Sequence, residues 1–190
     1  MTPPHAEQRL LEVLQRAQTE GALGSWPIPE VIAHAREFVA VLPHDTATVL
    51  DLGSGAGVPG LVIALDLPQV RVTLVDRRDK RVDALQRAVA RLGWSERVSV
   101  VSADAATLAA DPTWQHSQDV VVARGFGPPE VTLALAARLT RVGGHVVISE
   151  PPAGTPSRWD TELCASCGVG TPERLGRVVR FHVEHQHLTD

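Results

Sequence analysis

The sequence predicts an α/β fold in which a mostly parallel sheet carries helices on both faces. Five short segments rich in valine and leucine alternate with helical segments after residue 46. Strands that are nearly continuous in apolar residues are typical of a parallel sheet that is buried on both sides. A polar–apolar alternation near the C-terminus indicates one further, antiparallel strand. We therefore expect the 190 residues to form one compact unit with a short N-terminal helical extension.

The N-terminal extension is predicted to contain two helices. Apolar residues recur at helical spacing over residues 7–18 and again over residues 29–41. Pro43 ends the second helix, because proline cannot continue the helical hydrogen bonding. We place the boundary between an extension over residues 1–45 and an α/β domain over residues 46–190.

The α/β domain is predicted to contain five parallel strands and four intervening helices. The strands are predicted over residues 48–52, 71–75, 98–101, 119–123 and 145–149. The intervening helices are predicted over residues 59–66, 79–92, 105–110 and 129–139. The remaining tail predicts a helix over residues 157–167 and the antiparallel strand within residues 177–187.

Composition and charge limit the classes of function. The chain has 18 basic and 22 acidic side chains and a net charge of -4, which argues against a general nucleic-acid binder but permits a local basic patch. Tyrosine is absent and Lys80 is the sole lysine, so chemistry that needs a tyrosine hydroxyl is excluded. The sequence has no signal peptide and no apolar run that would span a bilayer. We expect a monomeric cytoplasmic protein that makes no membrane contact and has reduced cysteines.

The most informative segment is a strand, a glycine-rich turn and a helix. Gly53, Gly55 and Gly57 alternate in the turn, and Pro59 lies near the start of the helix. Glycines let the backbone approach a ligand closely, and free N–H groups at a helix start attract anionic or carboxylate groups. The spacing G-x-G-x-G differs from the G-x-G-x-x-G of dinucleotide sites. A tight turn without a ligand is the alternative.

Acidic residues follow or end the first three strands of this domain. Asp51 precedes the glycine turn, where a carboxylate suits an ammonium group. Asp76 ends the second strand and is placed to accept hydrogen bonds from ribose hydroxyls, and Asp104 with Ala105 is placed to reach an adenine amino group. An amino acid, a ribose and an adenine together describe S-adenosylmethionine. The predicted cofactor-binding residues are Asp51, Gly53, Ser54, Gly55, Gly57, Asp76, Arg77, Asp104, Ala105 and Arg124.

Longer motifs resemble those of class I S-adenosylmethionine-dependent methyltransferases. Within that class, residues 51–60, with Pro-Gly after the third glycine, resemble the bacterial small-subunit rRNA guanine-N7 methyltransferases, the glucose-inhibited division protein B family. Residues 74–81 are similar to that family's Asp followed by a Lys-Arg pair, residues 122–127 to its Arg-Ala-Phe-Ala signature, and residues 34–37 to its His-x-x-Asp helix. The resemblance covers about residues 30–150. It implies a Rossmann-like class I methyltransferase sheet, S-adenosylmethionine as cofactor, and ribosomal RNA or the small ribosomal subunit as partner.

The reaction that this resemblance implies is methyl transfer to guanine N7. The N7 lone pair lies in the ring plane and needs no general base, so catalysis would depend on positioning. We assign the catalytic position to Arg124, at the carboxyl end of its strand, where it would donate to guanine O6 or to a phosphate. A salt bridge from Arg124 to Asp51 or Asp104 is the alternative.

The substrate half of the site departs from the family pattern. The family lysine after the fifth strand is replaced by Glu150, which predicts an anion where RNA is expected. A divergent paralogue that binds the cofactor but acts on a small molecule, or is not catalytic, is therefore the alternative function.

Two further patterns each allow a functional and a purely structural interpretation. The helix over residues 79–92 is the most basic part of the chain, which suits either RNA phosphates or a solvated outer face. Cys164 and Cys167, with His182 further on, formally fit a zinc pattern. We favour buried reduced cysteines and assign no metal site.

Overall fold

The computed structural model describes residues 4–151 and 154–184 of the chain. The helices of this part are α1 (Pro4–Thr19), α2 (Ile28–Ala40), α3 (Gly60–Asp66), α4 (Asp79–Leu92), α5 (Ala105–Ala110), α6 (Pro129–Leu139) and α7 (Thr161–Ser166). The strands are β1 (Thr48–Leu52), β2 (Arg71–Asp76), β3 (Val98–Ser102), β4 (Gln118–Ala123), β5 (Thr140–Ser149), β6 (Glu173–Leu175) and β7 (Val178–His182).

All seven strands form one sheet in the order β3-β2-β1-β4-β5-β7-β6. Strands β1 to β5 are parallel, β7 is antiparallel to β5, and β6 is antiparallel to β7. The predicted mostly parallel sheet with an antiparallel C-terminal strand is thus confirmed. Leu52 pairs with Ala123, and Ala123 pairs with Ile148, so the carboxyl ends of β1, β4 and β5 lie at the same edge.

Each face of the sheet packs against its own set of helices, as predicted. Alternate residues of each central strand point to opposite faces, as the period of a strand requires. Leu50 joins the apolar cluster beneath α5, α6 and α7, whereas Val49 joins the cluster beneath α1 to α4. Leu10, Leu14 and Phe38 of the N-terminal helices are fully buried in that second cluster. The extension therefore shares its core with the sheet, and the boundary at residue 45 stays a prediction.

The largest differences from the predicted elements lie in the C-terminal part. Helix α7 begins at Thr161 rather than at residue 157, because Asp160 caps it by accepting a hydrogen bond from the Leu163 amide at 2.7 Å. Strand β6 was not predicted, since three residues carry no periodic pattern. Gly176 turns the chain from β6 into β7 with a left-handed φ of 67°. Of the predicted alternation, residues 185–187 lie outside the described residues.

Strand β5 begins five residues earlier than predicted. It follows α6 directly at Thr140, and Gly143 and Gly144 interrupted the apolar pattern that would have indicated it. A Cβ atom on Gly144 would lie 2.5 Å from the Asp119 carbonyl oxygen, so close approach of β4 requires glycine there.

Across the described ranges, no helix combines the length and apolar character needed to cross a bilayer.

Candidate active site

The glycine turn after β1 adopts backbone conformations that favour glycine. Gly53, Gly55 and Gly57 have φ angles of 72°, 58° and 89°. A Cβ atom on Gly53 would lie 2.5 Å from Cδ2 of Phe126, whereas one on Gly55 would make only ordinary contacts, the nearest at 3.6 Å. Gly53 is therefore required by both space and φ, and Gly55 by φ alone.

Ser54 fixes this turn to the neighbouring strand. Its amide donates to the Val75 carbonyl at 2.8 Å, and its hydroxyl accepts from the Val75 amide at 3.0 Å. The same hydroxyl donates to the Asp51 carbonyl at 2.8 Å. Ser54 is buried, so the structure places its side chain inside the protein rather than in a cavity.

Asp51 lies beneath the turn. Its side chain is buried, and Oδ2 accepts a hydrogen bond from the amide of Gly60 at the start of α3, at 2.9 Å. Burial raises the pKa of Asp51 to about 7, although the Gly60 hydrogen bond and the charge of Arg124 oppose this shift. The predicted role of Asp51 toward a ligand ammonium stays a prediction.

Asp76, at the end of β2, is hydrogen-bonded to the glycine turn. Its Oδ2 accepts from the Gly55 amide at 3.0 Å, and its Oδ1 accepts from the Arg78 amide at 2.9 Å. Arg81 Nη1 lies 3.5 Å from Oδ2. Asp76 thus connects the glycine turn to the start of α4 by two backbone hydrogen bonds and an ion pair.

Asp104 caps α5 after β3. Its Oδ1 accepts from the Ala106 amide at 2.9 Å, and its Oδ2 lies 3.8 Å from Arg77 Nη1. Both side chains of this ion pair are more than half exposed, so the pair contributes little to stability.

A cavity of about 280 Å³ opens where the turns after β1, β2, β3 and β4 meet. Ligands of open α/β sheets bind at this edge. The predicted site residues that line the cavity are Gly53, Asp76, Arg77, Asp104 and Ala105. Those that do not line it are Asp51, Ser54, Gly55, Gly57 and Arg124.

Several lining residues were not among the predicted site residues. They are Val75, Arg78, Arg81, Ala103, Gly125, Phe126, Gly127, Pro128 and Val131. Phe126 lies within the signature at residues 122–127, which is its signal in the sequence, whereas its contact with Gly53 joins positions far apart in the chain. Arg78 and Arg81 place the basic start of α4 in the cavity wall.

Arg124 follows β4 and is partly buried. The alternative salt bridge is not formed, because neither Asp51 nor Asp104 lies within 4 Å of its guanidinium. Burial lowers the pKa of Arg124, and the charge of Asp51 opposes this shift. Burial lowers the pKa of His34 on α2; the hydrogen bond to the Arg177 carbonyl opposes this shift, and the charges of Arg177 and Arg124 add to it.

The structure corrects the expectation that Glu150 presents an anion to the substrate. Glu150 is buried at the end of β5, and its Oε1 accepts hydrogen bonds from Arg158 Nη2 at 2.6 Å and Trp159 Nε1 at 2.8 Å. Arg174 Nη1 lies 3.5 Å from Oε2. Two guanidinium groups on one carboxylate leave this position with a net positive charge.

The remaining predicted features take ordinary structural positions. Arg87 and Arg91 of α4 line a groove of about 70 Å³ against α1, behind the glycine turn. Cys164 and Cys167 are free and buried, and burial raises the pKa of both thiols. In residues 4–151 and 154–184, His, Cys, Asp and Glu form no group of three or more that would hold a metal ion.

Comparison with known sequences gives one family match. The GidB family, described as rRNA small subunit methyltransferase G, matches residues 28–150. A "Ribosomal RNA small subunit methyltransferase G" from Myxococcus xanthus is 36% identical over 178 residues, which are 90% of this chain and 76% of that protein. The protein of the same name from Rhizorhabdus wittichii is 44% identical over 91 residues, 48% of this chain and 40% of that protein. The chain thus spans less than half of one of these two relatives and about three quarters of the other.

Solved structures share the fold at low sequence identity. A putative S-adenosylmethionine-dependent methyltransferase from Methanococcus maripaludis has a TM-score of 0.64 and 14% identity, with 85% of this chain and 89% of that chain covered. A predicted O-methyltransferase from Agrobacterium tumefaciens has a TM-score of 0.59 and 20% identity, covering 80% and 81%. This likeness supports the class I methyltransferase sheet.

Proposed function

Because the chain belongs to the GidB family, rRNA small subunit methyltransferase G, we propose that it transfers the methyl group of S-adenosylmethionine to guanine N7 of small-subunit ribosomal RNA. The observation that carries this proposal is the cavity at the carboxyl edge of the sheet, bounded by the glycine turn and by Asp76. Its position between β1, β2 and β3 is the position that a nucleoside cofactor takes in such sheets.

The residues present fit this cofactor. A side chain on Gly53 would collide with Phe126, so the turn keeps that wall of the cavity free of a Cβ atom. Asp76 accepts two backbone hydrogen bonds and retains further lone pairs for a pair of ribose hydroxyls. Asp104 and Ala105 line the wall after β3, where the adenine would lie. When bound, the cofactor supplies an activated methyl group on a sulfonium centre.

The protein's own residues then have a positional task. The guanine N7 lone pair attacks without losing a proton, so no general base is required. Arg124 has no ion-pair partner within 4 Å among the described residues and lies at the end of β4, beside the cavity. We assign it to hold the acceptor through guanine O6 or an adjacent phosphate with its planar fork.

Label transfer from methyl-labelled S-adenosylmethionine tests the proposal. The purified chain is incubated with free small-subunit rRNA, with small-subunit particles from a strain that lacks the modification, or with a metabolite extract. We expect label in an RNA arm, with strand cleavage by the chemistry selective for 7-methylguanine. Label in the metabolite arm alone, or in neither RNA arm, contradicts the proposal.

Arg124→Lys and Arg138→Lys form a matched pair for this assay. Lysine retains the charge but loses the planar fork, so Arg124→Lys is expected to lower the transfer rate while cofactor affinity by calorimetry is retained. Arg138, in the last turn of α6, lies outside the cavity lining and serves as the control.

A further inference from the structure

The carboxylate of Glu150 organises a cluster that the cofactor site does not use. We call Glu150, Arg158 and Arg174 the arginine cluster. Arg158 Nη2 donates to Glu150 Oε1 at 2.6 Å and to the Ser149 carbonyl at 3.0 Å. Arg174 Nη1 lies 3.5 Å from Glu150 Oε2, and its Nη2 donates to the Pro151 carbonyl at 2.5 Å. Both guanidiniums are thereby held by the end of β5 and the two residues that follow it.

The buried rings of Trp159 and Phe181 hold the same carboxylate in place. Trp159 Nε1 donates to Glu150 Oε1 at 2.8 Å, and the guanidinium of Arg158 lies over the Trp159 ring at 5.2 Å. Trp159 packs edge-on against Phe181 of β7, with ring centroids 5.0 Å apart. Since both rings are buried in the core, the carboxylate has one defined position. A preorganised group loses less conformational entropy when it binds a ligand.

The cluster lies at the same carboxyl edge of the sheet as the active site. Gly53, Arg124 and Ser149 follow or end the paired strands β1, β4 and β5, and Glu150 is one residue further. Adjacent strands are about 4.8 Å apart, so Glu150 lies about 10 Å from the glycine turn. The cavity extends the opposite way, toward β2 and β3. The arginine cluster and Arg124 therefore both lie at the carboxyl edge of the sheet, on the β5 side of the cavity.

The charge and geometry of the cluster suit a phosphate. One carboxylate balances one of the two guanidiniums, and about a third of each arginine side chain is exposed, 33% for Arg158 and 34% for Arg174. Each guanidinium has five N–H donors, more than the bonds to Glu150 and the backbone consume. The planar fork of a guanidinium matches the oxygens of a phosphodiester, and Glu150 holds two such forks on its two oxygens.

We propose that Glu150 is a positioning residue that holds Arg158 and Arg174 as a phosphate-binding pair for the RNA acceptor. The pair binds a backbone phosphate near the target guanine, and so orients the strand across Arg124. This inference rests on the proposed function, because it takes RNA as the acceptor.

Salt-dependent RNA binding tests the pair. In vitro transcribed small-subunit rRNA is titrated with the wild-type chain, Arg158→Ala, Arg174→Ala and the control Arg141→Ala across a range of salt concentrations. Arg141 is likewise ion-paired, to Asp119 at 2.8 Å, and its side chain is 46% exposed, but it lies at the opposite end of β5. Loss of the one phosphate contact lowers the magnitude of the slope of log affinity against log salt by about 0.7, which is expected for the double variant Arg158→Ala/Arg174→Ala, with a smaller reduction in each single variant. The control is expected to leave the slope unchanged.

Glu150→Gln separates positioning from simple charge. Removal of an anion raises the net charge of the protein by one, so electrostatics alone predicts tighter RNA binding. Positioning predicts weaker binding and a lower slope, because the arginines lose their fixed geometry. Cofactor affinity by calorimetry is expected to stay unchanged, which shows that the fold is intact. Tighter binding by Glu150→Gln overturns the positioning role.

The outcomes distinguish this inference from the proposed function. If the wild-type chain methylates RNA and the cluster variants keep the wild-type slope, the inference is overturned and the function stands. If the cluster variants lower the slope but the wild-type chain transfers no label to RNA, the phosphate pair stands and the proposed reaction fails. If the wild-type chain binds no RNA at any salt concentration, the inference is overturned whatever the label assay shows.

Discussion

The active-site edge of the sheet holds buried carboxylates in two different ways. At the glycine turn, Asp51 and Asp76 accept hydrogen bonds from the backbone amides of Gly60, Gly55 and Arg78. At the end of β5, Glu150 accepts hydrogen bonds from side chains instead. The first arrangement follows from the path of the main chain. The second depends on side chains that reach the carboxylate from the tail of the chain.

This difference has consequences for charge. Amides neutralise a carboxylate only partly, and burial without a close cation raises the pKa of Asp51. Guanidiniums at Glu150 provide full counter-charges, so the same sheet edge carries a proton-sensitive group on one side and a cationic group on the other.

The largest effect is expected from the pH dependence of Asp51. Its pKa is about 7 in the folded chain and 3.8 as the ordinary value, so between these values the folded state retains a proton that the unfolded state has lost. The free energy of unfolding therefore falls as the pH rises through this window, by about 4 kcal/mol over the whole window and by about 3 kcal/mol between pH 5 and pH 8. Urea unfolding of the wild-type chain and Asp51→Asn at pH 5 and pH 8 measures it. Asp51→Asn is expected to remove most of the slope, and equal slopes in both proteins contradict the assignment.

Glu150→Lys is expected to have the next largest effect. It places a third cation beside Arg158 and Arg174 in a site that is buried on one side, and it removes two charged hydrogen bonds. We expect a loss of about 3 kcal/mol in the free energy of unfolding, reduced from the value for a fully buried pair because both arginines reach solvent. Urea denaturation measures it, with Glu150→Gln expected to lose less. A Glu150→Lys chain as stable as wild type would show that the arginines do not depend on this carboxylate.

Gly53→Ala tests the turn on the cofactor side. The added methyl group collides with Phe126 and imposes a left-handed φ on alanine. We expect an affinity for S-adenosylmethionine about tenfold lower, equivalent to about 1.4 kcal/mol, in calorimetric titrations. Gly93→Ala, at the end of α4, is the control, because it has a similar φ of 74° but open space around its Cβ position. An equal loss of affinity in both variants would show that backbone strain at a left-handed φ, and not the collision with Phe126, lowers the affinity.

Glu37→Gln is expected to have the smallest effect. Glu37 accepts from the amide and the Nε of Arg177 at 2.7 and 2.6 Å, which ties α2 to the turn between β6 and β7. Because the pair is partly exposed, we expect less than about 1 kcal/mol of destabilisation. Thermal unfolding at low and high salt measures it. A loss of stability as large as that of Glu150→Lys would show that exposure to solvent does not weaken the Glu37–Arg177 ion pair relative to the ion pairs of Glu150.

Prediction from the sequence succeeded where a structural feature depends on neighbours along the chain. The order of strands and helices follows from local periodicity, and the glycine turn follows from residues within one short segment. Helix α7 and strand β6 were predicted less well, because the Asp160 cap and a three-residue pairing carry little periodic signal. Glu150 was misjudged because its partners lie eight or more positions further along the chain.

The α/β fold, the family resemblance and the position of the glycine turn follow from the sequence alone, since each depends on residue type and spacing within short segments. Only the tertiary structure decided that Asp51 points into the protein toward Gly60, that Phe126 covers Gly53, and that Glu150 is paired with two arginines. These features arise where separate loops meet at one sheet edge. Side-chain direction there is set by packing and by the cost of burying an unpaired charge, neither of which local spacing encodes.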